Sequence, residues 1–158
     1  MTTTQTTRTR RMTAHAEPAR ASRPRARRVL AGGVGASAAG AVVLLGYGAL
    51  AVALHGPMQA GDPGAADATP INAASFPIGL LFCAVVAIPL AVAIGRFASR
   101  PTRTFRHTAI VLTAVSLVAP IGATHTDVAT RFLLAGGHVV AAAVVIPLII
   151  RALRTTLD

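Results

Sequence analysis

Four polar side chains, Tyr47, Cys83, Ser116 and His138, each interrupt a long apolar run of this sequence. An imidazole in such a run can carry a proton, ligate a metal or haem, or hydrogen-bond a neighbouring helix. The residues around it decide among these. No second ionisable group lies in the middle of any run to receive a proton. A b-type haem needs paired His within the runs, whereas His15, His55, His107 and His125 lie at run ends or in the N-terminal segment. A metal on Cys83 and His138 needs further ligands that the runs do not offer. A structural hydrogen bond is therefore preferred to transport or proton transfer, and these to cofactor ligation; no cofactor and no metal are expected. The turn "THTD" puts His125 close to Asp127, with His55 a candidate neighbour, but a solvated turn is preferred there to a metal site. The sequence has no nucleophile elbow, P-loop, dinucleotide or zinc-protease pattern, so no enzyme is expected.

The elements that hold these side chains follow from composition. The chain has 158 residues, 53% hydrophobic and 13% charged, with a net charge of +10. That balance points to lipid rather than water as the solvent. The basic residues are all Arg, which together with the Ala content points to a GC-rich, actinobacterial genome. Cys83 is the single cysteine, so the chain has no internal disulfide.

Crossing about 30 Å of hydrocarbon takes roughly 20 apolar residues in a helix. Four stretches meet or approach this: Val29 to Leu54, Phe76 to Ala98, Thr108 to Thr124, and Phe132 to Ile150. The expected fold is all-α, a four-helix antiparallel transmembrane bundle over residues 27–158. Arg27 and Arg28 precede the first run; Arg96, Arg100, Arg103 and Arg106 separate the second from the third; Arg151 and Arg154 follow the fourth. The other two connections carry Asp62, Asp67 and Asp127 with one Arg, Arg131. By the positive-inside rule both termini are cytoplasmic, in a multi-pass plasma-membrane protein. Each Arg near an anionic inner leaflet contributes about 1 kcal/mol, so the bilayer itself is a partner and nucleic acid is not the expected one.

Residues 1–26, rich in Arg, Thr and Pro without apolar periodicity, are expected to form a disordered cytoplasmic tail. Arg10 and Arg11 resemble a twin-arginine signal, but the apolar run starts too far downstream. The first run is also too long for a cleaved signal peptide. The connection from His55 to Ser75 is expected to be a turn-rich external segment, with Asn72 or Ser75 capping the second helix.

Lipid is as apolar as Leu, so helices associate in it through close backbone approach and interhelical hydrogen bonds. Gly32, Ala36 and Gly40 repeat every four residues, beside a second row of Gly33, Ser37 and Ala41. These rows are expected to form a packing face. Pro89, Pro120 and Pro147 each remove one backbone donor, freeing the carbonyls of Val85, Ser116 and Ala143, and are expected to kink their helices. Counted from the outer ends, His138 lies roughly 9 Å deep, and Tyr47, Cys83 and Ser116 fall within about a turn of that level. The expected arrangement is one buried polar layer in which His138 bonds Tyr47, Ser116 or the freed Ser116 carbonyl.

The segment "TAIVLTAVSLVAPIGATHTDVATRFLLAGGHVVAAAVVIPLIIRAL" resembles a family of small actinobacterial four-span integral membrane proteins of unknown function. The matching positions are Pro120, Thr124, Thr130, His138 and Pro147, with the basic connection before the third span. The resemblance extends over about the last 130 residues and implies a membrane location and a four-helix unit, with no activity to transfer. The function expected from these residues is a non-enzymatic structural or partner-binding membrane subunit, associating with copies of itself or with another membrane protein. The alternative is a small transporter or channel component using the polar layer around His138.

Overall fold

Inside hydrocarbon every backbone amide must find a partner within the protein, so long apolar runs condense into helices. A computed structural model describes residues 22–155, with side chains from residue 26 onward. Its elements are α1 (Ser22–His55), β1 (Met58–Ala60), β2 (Thr69–Ile71), α2 (Ser75–Phe97), α3 (Pro101–Ser116), α4 (Val118–Ile121) and α5 (Val128–Arg154). Four segments are long and apolar enough to cross a membrane: Ala26–His55, Ser75–Phe97, Pro101–Ile121 and Val128–Arg154. They form the expected antiparallel four-helix bundle.

The helix ends depart from the expected spans. α1 begins at Ser22, inside the segment expected to be disordered through residue 26. Arg is a good helix former, so the basic residues extend the apolar helix rather than end it. The rest of the tail, residues 1–21, lies outside the described residues. α3 likewise starts at Pro101, well before Thr108, with Pro in the first turn where its missing amide costs nothing. α5 runs past both ends of its expected span, and Asp127 caps it by accepting from the Thr130 amide at 2.9 Å.

The three prolines differ in effect. α2 and α5 continue through Pro89 and Pro147. At Pro120 the helix is interrupted: α3 stops at Ser116, and a single turn, α4, follows Leu117. The Ser116 carbonyl has no amide donor four residues on, which is where regular helix ends. Asn72 does not cap α2 directly; its Oδ1 accepts from the Ala74 amide at 2.9 Å and shapes the turn ahead of the helix.

α1 is the central helix and packs along both α2 and α5, while α3 rests on α5 and more loosely on α2. The small rows of α1 make those approaches. A Cβ at Gly40 would come within 2.8 Å of both Leu80 on α2 and Val145 on α5. One at Gly32 would collide with Ala152 of α5, and Ala36 between them is 2% exposed. In the second row, a Cβ at Gly33 would meet Ile88 of α2 at 3.0 Å.

Two apolar clusters fill the bundle. Val29, Ala91, Phe105, Ile149 and Leu153 gather one end, and Leu44, Ala51, Met58 and Phe76 the other. The first cluster joins the start of α1, the end of α2, the start of α3 and the end of α5. Arg27, Arg28, Arg96, Arg100, Arg103, Arg106, Arg151 and Arg154 therefore share that end, all exposed. The opposite end carries Asp62, Asp67 and Asp127.

That acidic end is more ordered than a turn-rich connection implies. Met58 pairs with Ile71, Gln59 with Pro70 and Ala60 with Thr69 in an antiparallel hairpin. Gly61 and Thr124 exchange backbone hydrogen bonds, at 2.9 and 3.1 Å. The Thr124 hydroxyl donates to the Asp62 carbonyl at 3.0 Å. The hairpin is thus fastened to the α4–α5 connection.

Candidate functional site

The four polar side chains do not form one layer. Cys83, Ser116 and His138 line a cleft of about 610 Å³ bounded by α2, α3 and α5, with Ser37 and Leu44 of α1 also on its wall. Tyr47 faces a separate cleft of about 540 Å³ near His55, Leu54 and Phe132. The expected bonds from His138 to Tyr47 and Ser116 are absent. His138 Nδ1 lies 2.9 Å from the Leu134 carbonyl of its own helix. Tyr47 donates instead to the Leu133 carbonyl at 2.8 Å, and Ser116 to the Thr113 carbonyl at 2.7 Å. Depth along a helix follows from residue count, but direction around it does not, and the four side chains point to different neighbours.

The interhelical bond therefore belongs to Tyr47, which ties α1 to α5. Its ring also meets Phe76 edge to face, with centroids 5.5 Å apart and planes at 73°. Room for both rings comes from Gly136 and Gly137: a Cβ at Gly137 would lie 3.0 Å from Phe76, and one at Gly136 would strike the Tyr47 hydroxyl. This pair was not among the expected site residues. Its signal in the sequence is two adjacent glycines directly before His138.

The cleft lies where α3 rests only loosely on α2, with Phe105, 3% exposed, on its wall towards the basic end. Its lining is mostly Leu, Ala, Val, Phe and Ile. Among the polar exceptions, Ser37, Thr113 and Ser116 spend their donors on their own helix backbone. Ser37 donates to the Gly33 carbonyl at 2.9 Å, and Thr113 to the Ala109 carbonyl at 2.8 Å. A carbonyl can only accept, so His138 Nδ1 carries a hydrogen, and in the Nδ1–H tautomer Nε2 keeps its lone pair. Cys83 is an exposed free thiol on the same wall.

At the acidic end His55, Asp127 and Thr130 form a clasp between the ends of α1 and α5. His55 Nε2 is 3.4 Å from Asp127 Oδ1 and 3.2 Å from the Thr130 hydroxyl, and Thr130 is fully buried. Thr130 also donates its hydroxyl to the second oxygen of Asp127. The sequence brings His55 to Asp127 as anticipated, but no group of three metal-binding side chains forms among the described residues. The Thr130 hydroxyl, then the Thr130 amide, then His55 lower the Asp127 pKa from 3.8 to about 2. A lowered carboxylate pKa stabilises the fold above the unfolded value and loses that contribution as pH falls through the folded one. The contribution of Asp127 to the clasp is thus fully present above about pH 4 and lost towards pH 2. Titrating the Asp127 carboxyl carbon by NMR is expected to give a midpoint near 2 in the wild type and one displaced towards 3.8 in Thr130→Val. An unmoved midpoint removes the hydroxyl as the cause.

Arg131 reaches back from α5 to the Ala123 carbonyl at 2.9 Å, closing the end of the α4 connection. On the basic side Arg96 lies 5.6 Å from the centre of the Phe97 ring.

No curated protein and no solved structure matches this chain. Residues 20–155 match the Family of unknown function (DUF6069), from the basic start of α1 through the end of α5. With that match over most of its length, and with four helices able to cross a bilayer, the chain belongs to DUF6069.

Proposed function

We propose that this protein is a non-enzymatic, multi-pass subunit of an actinobacterial plasma membrane that binds other membrane components through its helix faces. One observation carries the reading: at most 28% of any span's apolar window is buried inside the bundle. The remaining helix surface is available to lipid or to the faces of a partner, a second copy or another membrane protein. The shared basic end faces the cytoplasm, where exposed guanidinium groups meet anionic headgroups. Lipid, not nucleic acid, is the counterpart of the +10 net charge.

Crosslinking and pull-down from native membranes test this reading, with the full chain compared against one lacking residues 1–21. A discrete crosslinked species, homomeric or heteromeric, is the expected result. A chain that stays monomeric at native abundance removes the subunit reading.

A second reading, a small transporter or channel component, draws on Cys83 of α2, Ser116 of α3 and His138 of α5 all lining one cleft. It requires solute flux across liposomes that His138→Ala abolishes.

A further inference from the structure

The cleft between α2, α3 and α5 has dimensions that select its occupant. Along α2 it is lined from Ser75 to Leu90, about 22 Å at the helical rise. Spread over that length, about 610 Å³ open to the centre of a water-sized sphere gives a mean section of about 28 Å², a path about 6 Å across; with the sphere's own radius of about 1.4 Å on each side the cleft is about 9 Å wide, narrower than the 10–12 Å or so of a helix with its side chains. A partner helix does not fit inside the cleft. A single extended hydrocarbon chain does.

The wall also selects a functional group. Thr113 and Ser116 have given their hydroxyl protons to the carbonyls of Ala109 and Thr113, and His138 has given its Nδ1 proton to Leu134. What they offer the cleft is acceptors: two hydroxyl oxygens and the Nε2 lone pair. The Ser116 carbonyl, deprived of its helical donor by Pro120, adds a fourth acceptor nearby. An acceptor without a partner in hydrocarbon is costly, and a plain alkyl chain leaves all of them unfilled. Cys83, a weak donor, is the exception on this wall. It lies about 12 Å from the Ser75 end and about 10 Å from the Leu90 end, so the polar belt crosses the cleft near its middle.

The geometry points to this cleft as a binding site for a single-chain lipophile that carries a hydroxyl group about halfway along its length. The chain lies along α2 and α3, and its one hydroxyl proton is donated to one of these acceptors, His138 Nε2 or an oxygen of Ser116. This goes beyond the subunit reading and depends only on the bundle lying in a bilayer.

The test compares two probes that differ in that one group. Methyl ricinoleate carries a mid-chain hydroxyl and methyl oleate lacks it. Their equilibrium binding to the full chain in nanodiscs is measured by native mass spectrometry. Wild-type protein is expected to prefer the hydroxylated ester about tenfold, within the range that one intramembrane hydrogen bond supplies. His138→Phe combined with Ser116→Ala is expected to retain oleate binding and bring the ratio close to one. Gly79→Leu places a side chain where a Cβ meets no atom within 4 Å, on the cleft wall, and is expected to exclude both esters while the helical circular dichroism stays unchanged. Equal binding of the two esters by the wild type overturns the proposal, as does undiminished binding by folded Gly79→Leu. A crosslinked partner that persists alongside equal ester binding sinks the lipophile site alone and leaves the subunit reading intact.

Discussion

Replacing Gly48 with Ala is expected to lower the stability of the bundle by about 1–3 kcal/mol, the usual cost of overpacking a close contact. The added methyl would sit 2.8 Å from the Ala73 carbonyl oxygen and 3.1 Å from its Cα, as well as against the Phe76 ring. Backbone does not yield as the end of a flexible side chain does, so α1 and the start of α2 must separate. Gly46→Ala is the matched control. It lies two residues away in the same helix with nothing within 4 Å of its added methyl, and Ala is the better helix former by about 0.8–1 kcal/mol. Thermal unfolding in one detergent should move the two midpoints in opposite directions. A Gly48→Ala midpoint at or above that of the wild type contradicts the packing of α1 on α2.

The second large effect separates two polar residues that the sequence presents as alike. Tyr47→Phe removes the hydroxyl that bridges α1 to the Leu133 carbonyl of α5 and is expected to cost about 0.6–2 kcal/mol. His138→Leu removes a bond made only within α5, so its unfolding midpoint is expected to stay at or slightly above the wild-type value. If His138→Leu is the destabilising change and Tyr47→Phe the silent one, the interhelical tie has been assigned to the wrong side chain.

That contrast shows where the sequence was legible. The four spans could be read because hydrocarbon demands a minimum apolar length with all backbone bonds internal, and charge clusters mark its limits. Helix ends could not, because Arg23, Arg25, Arg103 and Arg106 look like loop residues by charge, yet Arg is a good helix former and they lie within α1 and α3. In water an amphipathic stripe tells which side of a helix faces inward. In lipid both sides are apolar, so residue count gave the depth of His138, Cys83 and Ser116 without the direction of any of them. Close packing was more visible: Gly32, Ala36 and Gly40 repeat at helical spacing, and the approach of α5 uses that row. The partner of Tyr47 was hidden because it is a backbone carbonyl, which any residue supplies. The β1–β2 hairpin was hidden too, since its three-residue strands contain Pro70 and little alternation, and Thr124, far along the chain, helps to hold it.

Four crossings with the arginine-rich end on the cytoplasmic side underlie the proposed function. Single cysteines at Asp62→Cys and Arg103→Cys, each in a Cys83→Ala background, report on the two ends through a membrane-impermeant maleimide applied to intact cells. Labelling at position 62 before permeabilisation and at position 103 only after it is the predicted result. Labelling of position 103 from outside, or of neither position until the membrane is opened, contradicts the topology.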